Sequence, residues 1–161
     1  MTNHPTPEFR IIPQLAALVV GIAGRTSNAH EMAGTGIIGK QWERFVRENL
    51  VAQIPERADS AVVAVYTDYA SDKDAEYTFL IGARVKSVAV VPQGMVAKTI
   101  PAGKYATFIS ERGPVERVVV ETWQRIWGIA LDRAYRADYE VYDERAADPG
   151  SAQVAIYVGI R

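Results

Sequence analysis

Apolar positions recur along this chain at two different periods, and the switches between them mark out its elements. Residues 14–23 form an apolar run of strand length closed by Gly24, the pattern of a buried strand. Residues 28–36 are polar and contain glycine, as a connection does. Over 37–51, Ile38, Trp42, Phe45, Val46 and Leu50 step by threes and fours while Lys40, Glu43, Arg47 and Glu48 fall on the other side. That spacing predicts an amphipathic helix, and Pro55 forbids its continuation. Residues 61–69 and 76–85 are rich in β-branched and aromatic side chains and flank an acidic turn at 71–75, so they predict an antiparallel hairpin.

The same plan then recurs. Residues 95–100 and 105–111 predict a strand interrupted by Pro101-Ala102-Gly103. Gly113-Pro114 opens a helix in which proline at the first helical position costs no hydrogen bond. Its apolar stripe is Val119, Trp123, Ile126, Trp127, Ala130 and Ala134. A strand at 139–142, a turn at Asp148-Pro149-Gly150 and a last strand at 153–160 follow. Trp42-Glu43-Arg44 aligns with Trp123-Gln124-Arg125, Val65-Tyr66 with Val141-Tyr142, and Gly82 with Gly159. The expected fold is α+β: two duplicated βαββ halves, about 14–90 and 91–161, behind a flexible tail over 1–13. The helices lie on one side of a curved antiparallel sheet, and a cleft opens at the pseudo-twofold junction, which neither half closes alone.

Glu140 breaks this pseudo-symmetry. Its counterpart is Ala64, and an acid in place of a small apolar strand residue is costly unless something pairs with it. Strand alternation puts Tyr142 on the same side as Glu140. From the residues alone, Glu140 is either a buried carboxylate awaiting a cation or a strand residue exposed or paired with an arginine such as Arg125. Trp123 and Trp127 are equally core residues or pocket walls, and Trp42 is a core residue. Tyr66 and Tyr69 are an odd number of residues apart, so only one of them should face the cleft, and Tyr66 is the better placed.

Composition narrows the chemistry. The chain has 161 residues, enough for one self-sufficient core, and no cysteine, so disulfides, thiolate metal sites and cysteine nucleophiles are excluded. It has only two histidines, His4 and His30, which disfavours Ser-His-Asp catalysis and His-rich metal sites. A net charge of −1 and a pI near 6.1 argue against direct nucleic-acid binding. No 18-residue apolar run or signal-peptide pattern occurs, so a cytoplasmic protein off the membrane is expected. Gly34-Thr35-Gly36-Ile37-Ile38-Gly39 matches the dinucleotide-binding G-x-G-x-x-G pattern, but about nine polar residues separate it from the preceding strand. It is read as a loop entering a helix, with no cofactor implied.

Ile100-Pro101-Ala102-Gly103-Lys104-Tyr105-Ala106-Thr107-Phe108, Gly113-Pro114, the segment 123–127 and Tyr139-Glu140-Val141-Tyr142-Asp143 resemble the GyrI-like effector-binding domain family. That family also supplies the ligand-binding domains of multidrug-responsive regulators of the MerR and AraC classes. Ile38-Gly39-Lys40-Gln41-Trp42-Glu43-Arg44-Phe45 and Val65-Tyr66-Thr67-Asp68-Tyr69 resemble its single-domain members, so the likeness spans roughly 14–161. The resemblance implies a duplicated βαββ (SHS2-like) fold with an aromatic cleft, and Glu140 at its floor pairing with cationic lipophilic ligands. It also departs from the regulators, because no DNA-binding domain is expected beyond the short tail.

Three functions follow. The first is a stand-alone binding domain for amphipathic, cationic aromatic molecules, lined by Glu140, Tyr142, Tyr105, Trp123, Trp127, Tyr66 and Tyr157. The second is a metal-independent hydrolase of reactive cyclopropane-containing compounds, as some stand-alone GyrI-like proteins are, using Glu140 and Tyr105. The third is an interaction module acting on a separate protein partner such as a topoisomerase. A monomer or weak dimer is expected in each case.

Overall fold

The computed structural model describes residues 9–161. Its strands are β1 (Arg10–Gln14), β2 (Ala17–Thr26), β3 (Val62–Thr67), β4 (Tyr77–Val85), β5 (Val96–Ile100), β6 (Gly103–Ile109), β7 (Arg133–Tyr142) and β8 (Ala155–Ile160), and its α-helices are α1 (Asn28–Met32), α2 (Ile38–Arg47) and α3 (Val115–Trp127). All eight strands join one antiparallel sheet in the order β1-β6-β8-β7-β3-β4-β2-β5.

The order is palindromic about the β3/β7 ladder: β2-α2-β3-β4 on one side is matched by β6-α3-β7-β8 on the other. Ala64 stands directly opposite Glu140 in that ladder, so the two positions matched by the sequence duplication face each other across the pseudo-twofold axis.

The sheet cannot be flat. β1 and β2 are six strand positions apart, as are β5 and β6, yet only Leu15-Ala16 and Pro101-Ala102 connect them. Six spacings in a flat sheet would be about 29 Å, whereas three Cα–Cα steps reach at most about 11 Å. The sheet therefore curls until its edges meet. On the face turned inward, Val19, Val63, Leu80, Ile100, Tyr105 and Tyr139 form one cluster that includes strands from both edges. On the other face the core is divided: Phe45 of α2 packs with Val20, Ile22, Phe79 and Ile81, and Trp123 and Ile126 of α3 pack with Ala106, Phe108, Ile156 and Val158. Tyr66 and Tyr142 touch both of these clusters and fill the seam between them.

Gly21 and Gly82 are paired in the β2/β4 ladder, and a Cβ on Gly82 would lie 1.9 Å from the Val20 carbonyl oxygen. Only glycine permits so close a crossing of two strands.

Several expected boundaries shift. Of the tail expected over 1–13, residues 1–8 lie outside the described residues, and the stretch from Arg10 to Pro13 belongs to β1, which covers the edge of β6. The connection expected over 28–36 contains α1, capped by Ser27, whose Oγ accepts from the His30 N–H. The first helix ends at Arg47 because Asn49 turns left-handed, with φ 48°, and Leu50 is buried from the 3-10 turn that follows. The second helix stops at Gly128, so Ala130 and Ala134 are not on its stripe and β7 begins well before Tyr139. The interrupted strand at 95–111 is two strands, β5 at one edge of the sheet and β6 next to β1 at the other, because Pro101 cannot continue a ladder and turns the chain across the closing gap.

Candidate functional site

Glu140 lies two residues before the C-terminal end of β7, 1% exposed, on the face that carries the helices. Three uncharged donors converge on it. The Tyr66 hydroxyl donates to Oε2 at 2.8 Å, the Trp123 indole N–H to Oε2 at 2.7 Å, and the Tyr142 hydroxyl to Oε1 at 2.6 Å. Among the described residues no Lys, Arg or His pairs with this carboxylate; Arg125, the candidate partner, instead lies near Glu111 at 4.0 Å. A carboxylate offers about four acceptor positions, and three are used, leaving one on Oε1.

Burial pushes the Glu140 pKa above the ordinary carboxylate value, and the donors Tyr142, Trp123 and Tyr66 work against that rise. The same burial, with the carboxylate alongside, pushes the Tyr66 and Tyr142 hydroxyls well above the usual phenol range, so both remain donors.

Each donor is placed by its element. Tyr66 shares the β3 face with Ala64, opposite Glu140, and Tyr142 follows Glu140 by two residues on β7. Trp123 sits on the buried stripe of α3 with Val118, Thr122 and Ile126. Around them the rings pack edge to face, Tyr66 with Trp123 at 5.5 Å and Trp42 with Tyr142 at 4.7 Å, while Tyr66 is tilted against Phe79 at 5.2 Å between centroids. A cavity of about 380 Å³ lined by Ile54, Glu56, Arg57, Asp59 and Ser60 shares no residue with this cluster. Glu140 itself is enclosed by these rings, while Trp42, Tyr66 and Tyr142 are each only partly buried.

Of the residues expected at the site, Glu140, Tyr142, Tyr66 and Trp123 are brought together. Trp127 is 6.4 Å from Trp123 between ring centroids and 46% exposed, on the outer rim. Tyr105 and Tyr157 are not at the site. Both lie on the inward face, packed around Tyr139, because the register sets Tyr157 against Tyr139 and sets Ile156 against Glu140. The Tyr105 hydroxyl donates to the Pro101 carbonyl.

Other residues at the site were not anticipated. Asp138, fully buried two residues before Glu140 and on the same face, accepts from the Tyr69 hydroxyl, the Gly159 N–H at 2.9 Å and the Arg133 guanidinium at 2.7 Å. Arg133 lies over the Tyr135 ring at 4.6 Å and the Trp123 ring at 5.9 Å. Burial works against the Arg133 charge, but Asp138 together with Tyr69 and Tyr135 more than offsets it and keeps the guanidinium protonated. Tyr69 joins Tyr66 on this side despite its odd spacing, because Asp68 adopts φ 51° just past the end of β3 and breaks the alternation. Trp42, read as core, packs on Tyr142. Two acids spaced by two residues were the available signal for Asp138.

The model of the integron-associated effector-binding protein family matches residues 10–160. The chain belongs to this family. YobU of Bacillus subtilis (strain 168), whose name assigns it to transcriptional regulation, is 35% identical over 144 residues, covering 88% of this chain and 90% of YobU. An integron cassette protein from the mobile metagenome of Vibrio cholerae is 27% identical, with TM-score 0.76 over 95% of each chain. SAV2435, solved bound to tetraphenylphosphonium, shares the fold at 16% identity with TM-score 0.78, over 96% of this chain and 94% of that one.

The G-x-G-x-x-G match lies at the entry to α2, where the Glu31 carboxylate accepts from the Ile37 and Ile38 N–H groups at 2.8 and 3.2 Å. An acid of the chain itself therefore occupies the position a phosphate would take. Among the described residues no helix is long and apolar enough to cross a membrane.

Proposed function

We propose that this effector-binding domain captures amphipathic aromatic cations, with the Glu140 carboxylate opposing the ligand's positive charge and Tyr66, Trp123, Tyr142 and Trp42 supplying ring faces. The observation that carries this reading is a carboxylate 1% exposed that is held only by uncharged donors. A buried carboxylate without a counter-charge is costly, and an entering cation removes that cost. Each ring adds cation–π attraction of about 0.5–2 kcal/mol. Stacking and one charge contact tolerate many shapes, so breadth of specificity follows. The tetraphenylphosphonium bound to SAV2435, a protein of the same fold, is of the proposed chemical class.

The test is a fluorescence titration of wild type and Glu140→Gln with tetraphenylphosphonium and with the uncharged triphenylphosphine oxide. The substitution is expected to weaken the cation at least about tenfold and to leave the uncharged ligand nearly unaffected. Equal losses for both would overturn the charge-pairing role. The hydrolase reading is not favoured, since its second residue, Tyr105, lies on the opposite face of the sheet from Glu140.

A further inference from the structure

We propose that Arg133 is the residue that controls access to Glu140, acting as a latch that holds Trp123 in place over the carboxylate until a ligand displaces it. This inference rests on the ligand-capture reading and adds a residue that sets how readily the site opens.

Trp123 is engaged from two directions. Its indole N–H is bonded to Glu140, and its ring face is covered by the Arg133 guanidinium. The guanidinium carbon stands 5.9 Å from the centroid of the indole, on the ring face, and the guanidinium is anchored in turn. The anchor is Asp138, itself fixed to the sheet through the Gly159 N–H and the Tyr69 hydroxyl. Arg133 thus occupies, with a cation of the chain itself, an aromatic face next to an acid: the chemistry proposed for the ligand, one step along the same strand.

Three features make the latch releasable. Arg133 Nε is buried without a hydrogen-bond partner, so the guanidinium spends only part of its donor capacity in the closed state. The β7/β8 register breaks between Arg133 and Asp138, so this stretch can shift without dismantling a regular ladder. Within it Tyr135 adopts φ 52°, a left-handed conformation that an aromatic residue holds only at some cost. The latch therefore releases within this stretch, while Asp138 and Glu140 stay in the regularly paired part of the β7/β8 ladder.

The test uses the full chain carrying Trp42→Phe and Trp127→Phe, so that emission reports Trp123 alone, and compares Arg133, Arg133→Lys and Arg133→Met. Lysine keeps the charge beside Asp138 but loses the flat guanidinium on the indole. Acrylamide quenching of Trp123 without ligand is expected to rise in the order Arg, Lys, Met. The apparent affinity for tetraphenylphosphonium should rise with it by roughly three- to tenfold, the scale of one cation–π contact. If Arg133→Met leaves Asp138 unpaired and fails to fold, the double variant Arg133→Met/Asp138→Asn takes its place. Unchanged quenching in a folded Arg133→Lys and a folded methionine variant would overturn the latch, whatever the ligand data. Increased quenching with no binding of tetraphenylphosphonium by any form would sustain the latch and reject the cation-capture reading.

Discussion

Glu140 is an acid enclosed by rings and answered by hydroxyls and an indole instead of by a counter-charge. That has a consequence for stability. Because burial raises its pKa in the folded state, the folded protein retains this proton over a pH range in which the unfolded chain, near the ordinary value of 4.5, has released it. The stability this provides is fully present below the unfolded pKa and is lost as pH rises through the folded one. In urea denaturation across mildly acidic to neutral pH, the stability of wild type relative to Glu140→Gln is therefore expected to fall as pH rises. A difference independent of pH would mean that the carboxylate titrates as it does in the unfolded chain. At this scale the sequence was partly legible. Two-residue alternation sufficed for Tyr142, and the duplication picked out Tyr66. Tyr105 and Tyr157 fell on the wrong face because face depends on inter-strand register, and a one-residue change in register exchanges inward for outward. Asp68 concealed Tyr69 in the same way, since its left-handed φ of 51° is a tertiary choice that periodicity does not carry.

The elements are organised by where they stop. Asn49 and Gly128 each end a helix earlier than the apolar pattern suggested. Apolar side chains continue past the end in both cases, because Leu50 and Ile129 still pack on the core from outside the helix. Periodicity records what is buried, and a turn can bury a residue as well as a helix can. The β2/β4 ladder depends on the close approach of Gly21 and Gly82. Gly82→Ala would drive a methyl group against the Val20 carbonyl, which cannot yield as a flexible side chain does. The expected cost is about 2–4 kcal/mol, read as a lower urea midpoint. An unchanged midpoint would show that the strands can separate at this point without loss.

For the whole molecule, the sequence revealed the duplication but not its closure. Element order and matched residues were enough for two βαββ halves, whereas nothing local distinguishes a strand that continues past Pro101 from one that crosses to a position six strands away in an eight-stranded sheet. That crossing, made once by each half, ties the two edges together and fixes the seam at which Tyr66 and Tyr142 meet over Glu140. The site thus belongs to neither half: β7 supplies the acid, β3 one hydroxyl and α3 the indole. The most direct measurement is the carbon-13 NMR titration of the Glu140 side-chain carboxyl, with and without tetraphenylphosphonium. A midpoint above the ordinary carboxylate range in the free protein, falling when the cation binds, is the expected result. An ordinary midpoint in the free protein, or one that binding leaves unmoved, would contradict the role of Glu140 as a buried charge completed by its ligand.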